Sequence, residues 1–318
     1  MLGVVLAAGA GTRLKPLTDA RSKAMMPVVG VPMVERVMRD LAAGVVEDFV
    51  VVVHPADAEI ARHFASESAF RSRVRLVVQP RSAGMADAVA CADPLVDGDF
   101  VVAACDNLVE EGAVARLIDL WREAESPTAM LTVMPVDDED IYRTGIVGLD
   151  GEWVTRIVEK PSPEAAPSNL ASLPLYVFSP AVLRYLDDVS LSARGERELQ
   201  SAIQMLIERE GRVRAFHVRG RMDLTSAADL LAINRCYLAS DGPFKLPEGV
   251  AIAPDARFIQ PVCVEPGVSV GRGCVVGPYV YAERGCRIED VATVRDSVLL
   301  RGSSVPRGSA LANDVLHG

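Results

Sequence analysis

Between Leu6 and Val28 the chain reads LAAGAGTRLKPLTDARSKAMMPV: an apolar run stops at Ala7-Ala8-Gly9, and a glycine turn then carries two cations, Arg13 and Lys23. Glycines let backbone N–H groups approach an anion closely, and the cations neutralise charge that builds up when a phosphoryl group is attacked. The stretch is suited to holding phosphate. A dinucleotide-binding fingerprint needs a third glycine where Leu14 stands, and a Walker A loop needs Gly-Lys-Ser/Thr, so neither describes it.

The elements that must position this loop follow from periodicity. Short apolar runs at Gly3–Leu6, Phe49–Val53, Val74–Val78, Phe100–Ala104, Ala129–Met134, Val154–Val158, Leu175–Phe178 and Arg214–Val218 read as strands. Amphipathic segments at Met33–Ala43, Asp57–Ala65, Met85–Ala92, Glu110–Glu125, Pro180–Leu186, Glu196–Arg209 and Ala227–Ala239 read as helices. The early strands are apolar throughout, as in a sheet covered on both faces, and the plan is α/β, Rossmann-like, with a mostly parallel sheet. Ligands of open α/β sheets bind beyond the carboxyl ends of the strands. Gly9–Lys23 after the first strand and Cys105-Asp106-Asn107 after the fourth should therefore open into one crevice.

After Leu238 the pattern changes. Residues 239–249, ASDGPFKLPEG, form a polar Pro/Gly-rich linker, and from residue 250 to 318 the period becomes six. Ile252, Phe258, Val264, Val270, Val276, Ala282, Ile288, Val294 and Leu300 recur at that spacing, and Val268, Cys274, Val280, Cys286, Ala292, Val298 and Ser304 stand four residues after the later ones. This is the hexapeptide signature of a parallel β-helix whose repeated aliphatic residues point inward. The expected domains are residues 1–238 and 250–318.

Composition narrows the function further. The 318-residue chain has a net charge of -10 and no basic stripe, which excludes non-specific nucleic-acid binding. Its apolar runs have strand length and fall far short of a membrane span. MLGVVLAAGAG lacks a basic leader region and reads as a buried strand rather than a signal sequence. The six cysteines include no C-x-x-C pair, so neither a zinc site nor a disulfide framework is expected, and cytoplasm is the expected compartment.

The full pattern L-A-A-G-x-G-T-R-L-x-P-L-T followed by S-K-x-x-x-P-V closely resembles the sugar-1-phosphate nucleotidyltransferases, or NDP-sugar pyrophosphorylases, several branches of which carry a left-handed β-helical tail. The resemblance implies that Leu6, Ala8, Gly9, Gly11, Thr12 and Arg13 embrace a nucleoside triphosphate with Lys23 on its phosphates. It places Gln79 and Gly84 against the base, where an amide and a bare backbone can pair with a base edge; the plain alternative is a turn leading into a helix. Asp106, in the position of the family's G-D-N, and Asp223, in that of its W-x-D, would seat Mg2+; each could instead cap a turn or a helix. Lys160, in Glu159-Lys160-Pro161, would hold the sugar phosphate as a flexible point charge, with Gly145, Glu159, Asn169 and Tyr176 around the sugar. Ser22, Cys105, Arg221, Thr225 and Pro174 depart from the family pattern, Pro174 standing where the family has a glycine beside the sugar.

The implied reaction is transfer of a nucleotidyl group from an NTP to a sugar-1-phosphate, or a sugar-like cyclitol phosphate, with release of pyrophosphate. The motifs point to the thymidylyl/uridylyl or adenylyl branch, with guanylyl also open. The alternative is a nucleotide-binding regulatory or assembly subunit of the same fold without turnover. None of the four histidines falls inside the coils before His317, so the tail carries no acyltransferase base; folding and packing into a homo-oligomer are its expected roles.

Overall fold

The protein is described by a computed structural model covering residues 1–240, 248 and 250–318. The expected 239–249 linker lies almost wholly outside the described residues. In chain order, β1 (Leu2–Leu6) is followed by the short strands β2 (Pro27–Val28) and β3 (Val31–Pro32), then α1 (Met33–Ala43), β4 (Asp48–Val53) and α2 (Ala58–Arg62). Next come β5 (Val74–Val78), α3 (Met85–Ala92), β6 (Phe100–Ala104), β7 (Asn107–Val109), α4 (Ala113–Glu123) and β8 (Ala129–Pro135). They are followed by β9 (Gly145–Asp150), β10 (Trp153–Glu159), β11 (Leu170–Phe178), α5 (Leu183–Leu186) and α6 (Leu199–Arg209). β12 (Val213–His217), β13 (Arg221–Asp223) and α7 (Ala227–Ser240) complete the first part, and short strands from Ala251 to Leu316 make up the tail.

The chain divides into two compact units: residues 1–10 with 34–222, and residues 11–33 with 223–318. The first is built on a nine-stranded sheet of order β5-β4-β1-β6-β11-β8-β12-β10-β9. β5, β4, β1 and β6 run parallel, in register from Leu2 against Phe100 to Leu6 against Ala104. From β11 onward the sheet is mixed, because β11 runs antiparallel to both of its neighbours while β12 and β8 are parallel. Val4, Leu6, Val50, Val52 and Val102 bury one face of the sheet against Ala88 and Val89 of α3 and Ile203 and Leu206 of α6. The opposite face is closed in part by α4, which packs on β8 and β11. β11 gains two residues over β8 between Leu173 and Tyr176, and Pro174 sits in that irregularity, where its missing N–H interrupts no ladder bond.

The second unit joins the 11–33 segment and α7 to the coils. Ala251 pairs with Ser269 and Ser269 with Arg287, so each coil takes 18 residues, or three hexapeptides. Val264, Val270, Val276, Ala282, Ile288 and Val294 are buried in the coil core, with Cys274, Cys286 and Ala292 as the small inward residues. After Val294 the period contracts by one residue: Ala282 pairs with Leu299 and Ile288 with Val305. Leu299 therefore takes the repeat position that counting by sixes gives to Leu300, and Ser303 is buried where Ser304 was expected. Asp296, with φ of +44°, turns the shortened corner. No described helix is long and apolar enough to cross a membrane.

Candidate active site

In the first unit the parallel strands end together. Leu6 and Ala104 are paired, and Cys105 N–H donates to Leu6 O at 3.1 Å, so Ala7-Ala8-Gly9 and Asp106 leave the sheet from adjacent strand ends. On the β5 side, the backbone of Gln79 donates to Val53 O at 3.0 Å. Its side-chain Nε2 donates to Gly84 O at 3.1 Å and to Asp87 Oδ2 at 2.8 Å, which ties Gln79 and Gly84 into one structure and leaves the amide oxygen as the acceptor on offer. Asn107, beside Asp106, is buried with neither amide atom hydrogen-bonded.

Farther along the sheet, Glu159 at the end of β10 pairs with Gly145 at the start of β9. Lys160 follows with φ of +45°, its N–H donating to Thr144 O at 3.0 Å and its Nζ lying 3.5 Å from Glu159 Oε1. A Cβ on Gly145 would stand 3.0 Å from Gln200 Cγ and 3.3 Å from Glu159 Oε2, so any larger residue would press on both side chains. Arg194 bridges Glu159 at 3.0 Å and Glu198 at 2.6 Å. Burial, followed by the Glu198 charge, pushes the Glu159 carboxyl up to about 7 against the pull of Arg194. Glu159 Oε2 and Gln200 Oε1 are both buried without a hydrogen-bond partner, and Gln200 is only 6% exposed.

Asn169 is exposed on the approach to β11, and its carbonyl accepts from Val136 N–H at 2.9 Å. Tyr176 is wholly buried in β11, its hydroxyl 2.8 Å from Ser172 Oγ, and burial raises that hydroxyl above the ordinary tyrosine value. Arg194, Glu198 and Gln200 were not anticipated. ARGERELQ reads as a charged lead-in to a helix, and the one available hint was the density of charge immediately before an apolar period.

The second unit holds the rest of the glycine loop. Gly11 has φ of +61°, and a side chain there would press within 3.1 Å of Lys23 Cβ and Thr18 Cγ2. Its carbonyl accepts from Leu14 N–H and Thr18 Oγ1, each at 3.0 Å, which closes the turn from which Thr12 and Arg13 project, both exposed. Lys23 opens a 3-10 turn, Lys23–Met25. Val28, Val29, Gly30 and Val31 form a tight hairpin. The buried Asn234 of α7 clamps it: Oδ1 accepts from Val29 N–H at 2.8 Å, and Nδ2 donates to Pro27 O at 3.1 Å. Asp223 does not cap α7. That role falls to Ser226, whose Oγ accepts from Asp229 N–H at 3.2 Å while Asp229 Oδ2 accepts from Ser226 N–H at 2.7 Å, a capping box. Thr225-Ser226 in place of the family's Gly-Thr thereby has a structural reason.

Residues 2–240 match the nucleotidyl transferase family. Over 335 aligned residues, 99% of this chain and 92% of the relative, the sequence is 31% identical to the low-salt glycan biosynthesis nucleotidyltransferase Agl11 of Haloferax volcanii. It is 30% identical to a glucose-1-phosphate thymidylyltransferase of Streptomyces griseus, over 96% of this chain and 88% of that one. Among solved structures, a UTP-bound UGPase from Acinetobacter baumannii superimposes with a TM-score of 0.64 at 28% identity, covering 74% of this chain and 93% of that one. The family match over residues 2–240, with a relative 31% identical along nearly the whole length, identifies the chain as an enzyme of the nucleotidyl transferase family, in its sugar-1-phosphate nucleotidyltransferase group.

Proposed function

We propose that the enzyme condenses a pyrimidine nucleoside triphosphate, UTP or dTTP, with a hexose- or cyclitol-1-phosphate, giving the nucleotide sugar and pyrophosphate. The observation that carries the proposal is the register of β1 with β6, which puts Ala7-Ala8-Gly9 and Asp106 on neighbouring strand ends. The backbone from Leu6 through Ala8, Gly9, Gly11 and Thr12 cradles the triphosphate, and Arg13 and Lys23 neutralise it. Gln79 offers its amide oxygen to a base N–H, since its nitrogen is committed to Gly84 and Asp87, and Gly84 borders the base. Lys160 holds the incoming phosphate; Gly145, Glu159 and Asn169 border the sugar, and Tyr176, wholly buried with its hydroxyl on Ser172, supports β11 from the core.

A phosphate oxygen of the sugar attacks the α-phosphorus in line, and pyrophosphate leaves. The nucleophile is already an anion, so no general base is needed, and catalysis rests on positioning and charge neutralisation. The donor chemistry suits Mg2+. Asp106 and Asp223 would supply hard oxygens, and the orphaned Asn107 amide marks an unfilled polar environment beside Asp106. When bound, the ion would offset triphosphate charge. The use of an NTP and six cysteines outside any disulfide are consistent with the cytoplasm, and exposed coil edges favour self-association, which sedimentation tests. Pyrophosphate release over a panel of NTPs and sugar-1-phosphates, scored by product mass, tests the whole reading: a UDP- or dTDP-sugar is expected, and no release with any pair would overturn it.

A further inference from the structure

Three contacts inside the second unit fix the segment that carries Lys23. Arg21, two residues before it, has only 5% of its side chain exposed, and its Nη2 lies 2.9 Å from Oε1 of Glu283, 9% exposed. Glu283 follows the coil strand Val280–Ala282, and its Oε2 accepts from Arg301 N–H at 2.8 Å, so both carboxylate oxygens are assigned. Gly30 lies against the previous coil, where a Cβ would stand 3.5 Å from Glu265 Oε1. Glu265 and Glu283 occupy equivalent positions on successive coils, each following the paired residues Val264 and Ala282. Asn234 supplies the third contact, holding Pro27 and Val29.

We infer that Arg21 is a positioning residue for nucleotidyl transfer, and that the β-helix, through Glu283, sets the conformation of the Lys23 segment. The tail is thus part of the apparatus that presents a cation to the triphosphate, beyond any role in folding or assembly. This rests on the assignment of Lys23 to the triphosphate proposed above. A buried ion pair is a weak source of net stability compared with apolar packing of the same volume, because desolvation offsets the attraction. What it supplies is direction: a guanidinium fork and a carboxylate with both oxygens bonded accept a narrow range of geometries. With only Ser22 between Arg21 and Lys23, a shift of the guanidinium is transmitted to the lysine within one residue.

The test compares Arg21→Gln, Glu283→Gln and the swapped pair Arg21→Glu with Glu283→Arg against the native enzyme and Lys23→Ala. Pyrophosphate release and thermal unfolding are followed together. Misplacement on the scale of an ångström costs about 100-fold, so each single change is expected to lower kcat/KM for the NTP about 10- to 100-fold, with KM for the sugar-1-phosphate held within about twofold. The swap is expected to recover about tenfold or more over either single change. Native kcat/KM in both single variants while Lys23→Ala loses turnover overturns the inference, as does a swap that restores the unfolding temperature without restoring turnover. If Lys23→Ala itself turns over normally, the assignment of Lys23 is what fails. Should a neutral variant not fold, Arg21→Lys keeps the charge without the fork; reduced kcat/KM is expected, and native turnover there overturns the inference.

Discussion

The Gly11–Met33 segment and the cluster around Glu159 differ in how far their buried polar groups are satisfied, with Ser22 Oγ, buried without a partner, the exception in the segment. In the first, Asn234 satisfies both Pro27 O and Val29 N–H, Gly11 O takes two donors, and Arg21 is paired in a buried contact. In the second, Glu159 Oε2 and Gln200 Oε1 are buried with nothing to bond. A buried polar atom without a partner costs about 1–3 kcal/mol, so the second cluster carries a penalty that a polyhydroxylated ligand can relieve. The triphosphate is the same in every NTP, and a rigid cradle would serve it. Acceptors differ in their hydroxyls, and recognising them needs hydrogen-bonding capacity held in reserve.

The comparison can be broken first at the cations. Lys23→Ala should lower kcat/KM for the NTP about 100- to 1000-fold, the loss seen when one preorganised charge-stabilising donor is removed, with pyrophosphate release as the assay. Native turnover would remove the cradle from the account. Asn234→Ala should destabilise the protein by about 2–4 kcal/mol in denaturant unfolding, because two buried backbone groups, Pro27 O and Val29 N–H, lose their partner. A neutral result would show that the hairpin is not held as described. On the reserve side, Glu159 gives a pH signature. Its carboxyl, raised to about 7, keeps a proton in the folded chain to higher pH than in the unfolded chain. Its contribution to stability is therefore present at acid pH and lost as pH rises through that value. Ionised Glu159 accepts sugar hydroxyls better, so KM for the sugar-1-phosphate should fall about threefold to tenfold between about pH 6 and about pH 8, and Glu159→Gln should retain only the part of this dependence that comes from ionisation of the substrate phosphate. The smallest effect is expected at Ser226→Ala, about 1 kcal/mol of stability from loss of the α7 cap, with native KM values.

Much of this was readable from residue order. β1, β4 and β6 are short and apolar because the sheet is covered where they lie, and Phe100–Ala104 coincides with its apolar run, whereas the edge strand Val74–Val78 was found despite Arg75 and its partial exposure. The coil period carried correctly from Val264 to Val294, then slipped at Leu299, because losing one residue at a corner leaves no mark when Leu299 and Leu300 are both aliphatic. β9 escaped notice because Gly145 and Gly148 interrupt its pattern. Asn234, Arg21 and Gln200 are polar types that a periodicity reading sends to solvent, whereas all three are buried. What buries them is contact between residues far apart in the chain, as in Arg21 with Glu283 and Gln200 with Gly145, and no local pattern encodes such pairs.

The cluster around Glu159 leaves acceptor atoms of two side chains without partners, whereas the loop has its backbone groups at Gly11, Pro27 and Val29 paired. Gln200→Ala tests this contrast most directly, through KM for both substrates measured alongside unfolding free energy. The substitution should raise KM for the sugar-1-phosphate about tenfold, leave KM for the NTP unchanged, and leave stability equal to or above the native value, since a buried amide oxygen without a partner has been removed. A loss of stability with both KM values unchanged would contradict it.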